Sequence, residues 1–351
     1  MTQALDHAAI IAAQNDNPKM RARDLAAKLG ISEGELVAAG CGTTARRIDI
    51  DFDRIFGPLE QVGEVMALTR NESAVHEKIG VYDKFIGGKH AAMMLGEKID
   101  MRMFAARWAH GFAVETRDGD TVKRSLQFFD AHGDAVHKVH TREATDIDRW
   151  NALVADLTAE DQSFGIEVTE APATAVRNEV DTTELRDRWS RMTDTHQFVG
   201  LLKKLDIDRL SAIRAVGEDY AWKIDNSAVE SMLRLCAKEA LPIMCFVGNH
   251  ACIQIHSGPV KDVKPMGPWL NIMDPDFHLH LRTDHITEVW AVRKPTDNNG
   301  VSGYVTSLEA YDADGELIIQ FFGKRIEGQD ERPLWREIME SLPRVDGRRA
   351  A

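Results

Sequence analysis

Apolar positions along the chain follow two periods in turn. Leu25, Ala26 and Leu29 recur at helical spacing after Pro18, and Gly30 sits where a left-handed residue closes a helix. Ser32-Glu33-Gly34-Glu35 reads as a capping box for a short helix through Leu36 and Val37 that ends near Gly40. Phe52 to about Val62 predicts another helix. The period then drops to two. Val65–Thr69 predicts a strand, Arg70-Asn71-Glu72 a turn, and Ala74–Ile79 the returning strand. Residues 100–116 and 121–130 continue the strand-like pattern around a hairpin turn at 117–120. Asp146–Leu157 returns to helical spacing and carries Trp150.

The stretch 188–204, near the middle of the chain, reads as a capped amphipathic helix. Thr193, Asp194 or Thr195 can cap it. Phe198, Leu201, Leu202 and Leu205 form its buried stripe, with His196 in the first turn just off that stripe. Gly200 falls four residues on, on the same face as His196. A mid-helix glycine costs about 1 kcal/mol relative to alanine. Its use here suits a flat, bulky group lying against the helix within reach of His196. A histidine at a helix start with a tolerated glycine fits the spacing as well.

The pattern occurs twice. Val65–Asn71 aligns with Ile243–Asn249 at an offset of 178, and Gly80 with Gly258 at the same offset. Ser125–Asp134 aligns with Ser307–Glu316 at 182, and Trp150 with Trp335 at 185. Such an offset, growing only by small insertions, marks an internal duplication rather than a short-period solenoid. The expected fold is α+β, a tandem duplication of two similar halves, each a large antiparallel sheet with flanking helices. The expected halves are residues 1–160 and 188–351, joined by a polar linker at 161–187 that contains Pro172. The His196 helix has no clear copy near Glu35–Ala39, so one principal site is expected, where the halves meet.

Composition narrows the function. A formal charge of −13 argues against a phosphate-tracking nucleic-acid binder. Hydrophobic residues at 44% and charged residues at 28% describe an ordinary globular balance. No run approaches the ~18 apolar residues of a membrane span, and the amino terminus does not read as a signal peptide. Cys41, Cys236, Cys245 and Cys252 form no Cys-x-x-Cys pair and suit core positions in a reducing cytoplasm.

Familiar catalytic motifs are missing. There is no Gly-x-Gly-x-x-Gly, and Gly87-Gly88-Lys89-His90 is not a phosphate loop. There is no Gly-x-Ser-x-Gly elbow. His76-Glu77-Lys78 reads as a surface pair on a strand, His278-Leu279-His280 as a solvated strand face, and His137-x-x-His140 as a strand end. What remains is His196 together with cations and aromatics near strand ends. Arg102 and Phe104 share one face of an alternating segment, Arg209 follows the His196 helix, and Lys294 ends a strand before Pro295. Tyr311, Phe321, Phe322 and Arg325 lie in the last sheet segment. One imidazole, several apolar plates and separated cations suit a haem, whose iron takes nitrogen and whose propionates take Arg or Lys. Ordinary sheet packing with snorkelling cations fits these residues too.

The motifs Leu68-Thr69-Arg70-Asn71-Glu72-Ser73-x-x-His76-Glu77-Lys78, Asp194-Thr195-His196-Gln197-Phe198, Glu288-Val289-Trp290-x-Val292-Arg293-Lys294-Pro295-Thr296 and Gln320-Phe321-Phe322-Gly323-Lys324-Arg325 carry a resemblance over nearly the whole chain. The sequence resembles the bacterial hemin-transport and hemin-degrading family, the HemS-like proteins of haem uptake systems. The resemblance implies a tandem α+β repeat that binds b-type haem non-covalently as substrate or cargo. It implies His196 as axial iron ligand and Arg102 as the distal residue, catalytic if the protein is an enzyme. It places Arg209, Lys294, Tyr311 and Phe104 in the pocket, and by extension Phe246 and Arg325. It implies a cytoplasmic protein that degrades haem to release iron with NADPH or another external reductant. The alternative is a non-catalytic carrier between an inner-membrane haem importer and a downstream haem acceptor.

Overall fold

The computed structural model describes residues 6–88, 91–171, 181–298, 301–325 and 331–345. Pro172 of the expected linker and Lys89-His90 of the glycine pair lie outside them. The chain forms two compact units. One comprises Met1–Arg70, His76–Pro172 and Gly248–Gln254; the other comprises Asn71–Val75, Ala173–Val247 and Ile255–Ala351.

The first half of the chain runs α1 (His7–Asp16), α2 (Ala22–Leu29), α3 (Glu33–Ala38), β1 (Ala45–Ile48), α4 (Phe52–Val62), β2 (Gly63–Arg70), β3 (Ala74–Gly80), β4 (Phe85–Ile86), β5 (Ala92–Leu95), β6 (Asp100–Met103), β7 (His110–Asp118), β8 (Thr121–Phe129), β9 (Ala135–Thr145) and α5 (Ile147–Leu157). The second half runs α6 (Thr182–Ser190), α7 (Gln197–Leu205), α8 (Arg209–Val216), β10 (Ala221–Ile224), α9 (Ala228–Lys238), β11 (Ile243–Gly248), β12 (Cys252–Gly258), β13 (Val263–Met266), β14 (Trp269–Met273), β15 (Phe277–Arg282), β16 (Glu288–Asn298), β17 (Val301–Tyr311), β18 (Leu317–Gly323) and α10 (Pro333–Ser341). The succession of helices and strands is the same in both, so the duplication is present in the fold. Each half supplies a contiguous run of a nine-stranded sheet, β1-β7-β8-β9-β2-β3 in the first and β10-β16-β17-β18-β11-β12 in the second.

Local chemistry explains the boundaries. Ser32 and Glu35 make both bonds of the capping box at α3, and Gly30 closes α2 at φ 69°. Asp51 caps α4, Asp146 caps α5 and Asp208 caps α8, each accepting a first-turn amide. In the first unit, Phe56, Leu59, Val65, Leu126, Phe128 and Trp150 pack into one core. In the second, Met232, Leu233, Cys245, Leu308, Phe321 and Trp335 do the same. All four cysteines are buried and free.

Several expectations change. The helix expected over 188–204 is two helices, α6 and α7, separated at 191–196, with His196 at the N-cap rather than in the first turn. The copy of α7 is α2, earlier than the region near Glu35–Ala39, with Arg21 at the N-cap where α7 has His196. The strand pattern of 100–116 is interrupted by a 3-10 turn at Ala105–Arg107. Lys294 does not end its strand: Pro295 pairs with Tyr304 and β16 runs on to Asn298. His76 and Lys78 are buried rather than a surface pair. His137 and His140 lie inside β9 rather than at its end, and His280 is half-buried on Asn271 (Nδ1 to Oδ1, 2.6 Å).

Candidate functional site

Burial of Trp189 and Phe198 fixes where α6 stops and α7 begins. Their rings meet edge to face at 4.9 Å, and the Trp189 indole N–H donates to the Arg293 carbonyl on β16 at 2.9 Å. The connecting loop is tied down by the Asp297 amide, which donates to the Thr193 carbonyl at 2.8 Å. Thr193 and Gln197 bond reciprocally. The Thr193 amide donates to Gln197 Oε1 at 3.0 Å, and Gln197 Nε2 to Thr193 Oγ1 at 3.1 Å. The residues expected to cap the helix therefore build the loop instead.

This loop presents His196, whose side chain is 86% exposed. Asp194 Oδ1 accepts the His196 backbone amide at 2.8 Å and the ring Nδ1 at 2.7 Å. The Asp194 carboxyl is held below its ordinary value, first by that backbone N–H, then by the imidazole and by Arg325. A neutral ring that donates Nδ1–H to a carboxylate carries its lone pair on Nε2, the tautomer a metal takes. Gly200 has helical backbone angles, and a Cβ built on it meets nothing within 4 Å. Neither backbone strain nor crowding requires glycine there. Open space on the face four residues from an outward imidazole fits a flat iron-bearing group.

Beneath α7 lies a buried polar network. Glu309, 0% exposed, accepts Arg209 Nε at 2.7 Å and Nη2 at 2.8 Å, Lys294 Nζ at 2.8 Å, the Tyr311 hydroxyl at 2.5 Å and Gln320 Nε2 at 2.7 Å. Its carboxyl is held well below the ordinary range: burial opposes ionisation, and Arg209 and Lys294 overcome it. Burial pushes Lys294 down to about 8 against the pull of Glu309. Both cations also lie over the Phe198 ring, Arg209 at 5.1 Å and Lys294 at 4.8 Å. Phe322 extends the cluster, with Lys294 6.0 Å from its centroid and Phe246 packed edge to face at 5.3 Å.

Arg209, Lys294, Tyr311 and Phe246 thus come together through Glu309, Phe198 and Phe322, and Arg325 stands in the field of Asp194. Lys294 and Tyr311 are buried within the network; Arg209 keeps 24% of its side chain exposed. Among the described residues its Nη1 makes no bond. Arg102 and Phe104 belong to the first unit. Arg102 is half-buried on β6, paired with Asp100 and donating to the Met101 carbonyl at 3.0 Å. The Phe104 amide donates to the Ala251 carbonyl at 3.0 Å.

Motif reading missed Glu309. Its signal was a carboxylate at period two with Ser307 and Tyr311, on a strand whose Leu308 and Ala310 are apolar. It also missed that Asp194 orients the imidazole.

The model of the haemin-degrading HemS.ChuX domain matches residues 30–157 and again 206–342. The hemin transport protein HmuS of Yersinia pestis is 41% identical over 340 residues, spanning 96% of each chain. The crystal structure of holo-PhuS, a heme-binding protein from Pseudomonas aeruginosa, superposes with a TM-score of 0.92 at 42% identity, covering 97% of this chain and 98% of that one. The heme degrading enzyme ChuS of Escherichia coli O157:H7 gives a TM-score of 0.88 at 37% identity over 95% and 97%. Two domain matches that track the duplication, with relatives alike over nearly their whole length, establish that this chain belongs to the haemin-degrading HemS.ChuX family.

Proposed function

We propose that the protein is a cytoplasmic haem-binding protein of a haem uptake system, and that it degrades haem to release iron. The observation that carries this reading is the exposed His196 imidazole, set by Asp194 with its Nε2 outward, beside the open face at Gly200. His196 would hold the haem iron through Nε2. Arg209 offers its Nη1 edge to a propionate while its other edge stays on Glu309. Phe246 and Arg325 border the same region, and Lys294 and Tyr311 hold Arg209 in place. The ring-opening chemistry would come from haem iron with oxygen and electrons from NADPH or another external reductant. Family members named for degradation and for transport both stand close to the chain, and four buried free thiols suit a reducing compartment.

A second reading is a carrier that takes haem from an inner-membrane importer and passes it to an acceptor. The 86% exposure of His196 favours it, because a ligand on an open surface is within reach of a partner's competing ligand. An absorbance time course of the hemin-loaded protein with NADPH or ascorbate, catalase present, tests both. Decay of the Soret band to a defined product with iron release, lost in His196→Ala, supports degradation. Hemin that binds through His196 but stays intact until an acceptor removes it supports the carrier. An unperturbed hemin spectrum in both proteins refutes haem binding.

A further inference from the structure

We infer that Glu309 is the positioning residue of the His196 site, acting on the imidazole through Phe198 without touching the ligand; this rests on the haem reading above. The geometry is a chain of two contacts and one short stretch of backbone. Glu309 is fully buried and is the common acceptor of Arg209, Lys294, Tyr311 and Gln320, which come from α8, β16, β17 and β18. The two cations it holds lie over the ring of Phe198. Phe198 is 2% exposed, packs edge-on against Trp189, and stands two residues after His196 in the first turn of α7.

Charge explains why the hub is a carboxylate. Two cations buried side by side repel, and each alone would be costly to desolvate. One carboxylate between them leaves a net charge of +1 and keeps both over the same ring. Without that charge the buried Lys294 ammonium loses its partner, one cation–π contact weakens, and the start of α7 is free to shift. His196 sits at that start, so a small shift there moves Nε2. Ser307 completes the network, its hydroxyl donating to Glu309 Oε1 at 2.7 Å and lying 3.3 Å from Lys294 Nζ.

The test pairs Glu309→Gln, which keeps shape and removes charge, with Glu309→Asp, which keeps charge. In the ligand-free protein, Glu309→Gln is expected to shift the His196 ring-nitrogen resonances, and Glu309→Asp to shift them less. Hemin titration is expected to show at least a tenfold weaker complex for Glu309→Gln. In a His196→Gly background supplied with free imidazole, the same change is expected to cost less than twofold, because that ligand is no longer tethered to α7. Unchanged His196 resonances, or an equal loss in both backgrounds, would overturn the inference. If Glu309→Gln fails to fold, Glu309→Gln with Lys294→Gln restores the net +1 and takes its place in each measurement. Shifted resonances in a protein that binds no hemin would leave the positioning role intact and sink the haem reading instead.

Discussion

At the scale of single residues, the site depends on an imidazole held by one carboxylate beside one missing side chain. Asp194 accepts both the backbone and the ring of His196, so it sets the tautomer and the direction of Nε2. A partner of this kind typically changes metal affinity 10–100-fold. Asp194→Asn is therefore expected to weaken hemin binding by about tenfold, read by Soret titration, with little change in melting temperature because the pair is exposed. Gly200 separates ligand space from helix stability. Gly200→Ala adds a methyl where nothing lies within 4 Å, so it should raise stability by about 1 kcal/mol in denaturant unfolding. Gly200→Leu fills the same face and is expected to lose hemin while the fold stays intact. Undiminished hemin affinity in Gly200→Leu would remove the reason offered for this glycine.

At the scale of elements, β2 and β9 bury a chain of neutral hydrogen bonds. His137 Nε2 lies 2.6 Å from the Tyr82 hydroxyl and its Nδ1 lies 2.8 Å from Thr69 Oγ1, which in turn is 3.6 Å from Cys252 Sγ. Burial holds the His137 imidazole down at about 3 and pushes the Tyr82 phenol well above its ordinary value. The unfolded chain takes up a proton near pH 6.5 that the folded one refuses, so this stability is present above pH 6.5 and is lost as pH falls toward 3. Between pH 7 and pH 5 the loss from His137 is ~2 kcal/mol. His140, pushed down to about 4 by burial and Lys138, acts in the same direction. Unfolding midpoints should fall over that interval, and His137→Gln should flatten the trend. The same two strands mark how far the sequence could be read. The period of β2 and its turn into β3 were legible, because alternation records which face is buried, whereas of β9 only a strand end at His137-x-x-His140 was read. The depth of burial was not, and so His76 and Lys78 passed for a surface pair. The break between α6 and α7 was hidden for a related reason. It is set by Trp189 reaching Arg293, more than a hundred residues away in the chain. His196 and Lys294 were singled out from motifs and Arg209 and Tyr311 from their places near helix and strand ends, whereas the Glu309 hub depends on four elements converging in space.

At the scale of the whole molecule, the two halves repeat one succession of elements but not its chemistry. Glu33 opens α3 where Arg209 opens α8, and Gln127 and Phe129 stand on β8 where Glu309 and Tyr311 stand on β17. The first unit keeps an ion pair, Glu33 with Lys138 at 2.5 Å, its acidic member on the helix rather than on the strand. The offset of 176 that sets Glu33 against Arg209 sets Met20 against His196, so the site assembled here belongs to the second half. Duplication does not make the halves separable. The first unit includes Gly248–Gln254, far along the chain. Within that unit the Ala251 carbonyl accepts both the Trp108 indole N–H and the Phe104 amide at 3.0 Å. Asn249 Nδ2 donates to the carbonyls of Arg70 and Val136 at 2.9 Å, and Ala251 and Cys252 are part of the core. A fragment of residues 1–172 lacks all of these. Leaving a buried donor such as the Trp108 N–H unpaired costs about 1–3 kcal/mol, and several together approach the 5–15 kcal/mol stability of a typical domain. The fragment alone is therefore expected to unfold without a sharp transition and to expose Trp108, read by its fluorescence. Adding a peptide of residues 247–255 in excess should restore cooperativity in proportion to its concentration. A fragment that melts sharply without the peptide would show that the first unit closes its core with its own continuous chain.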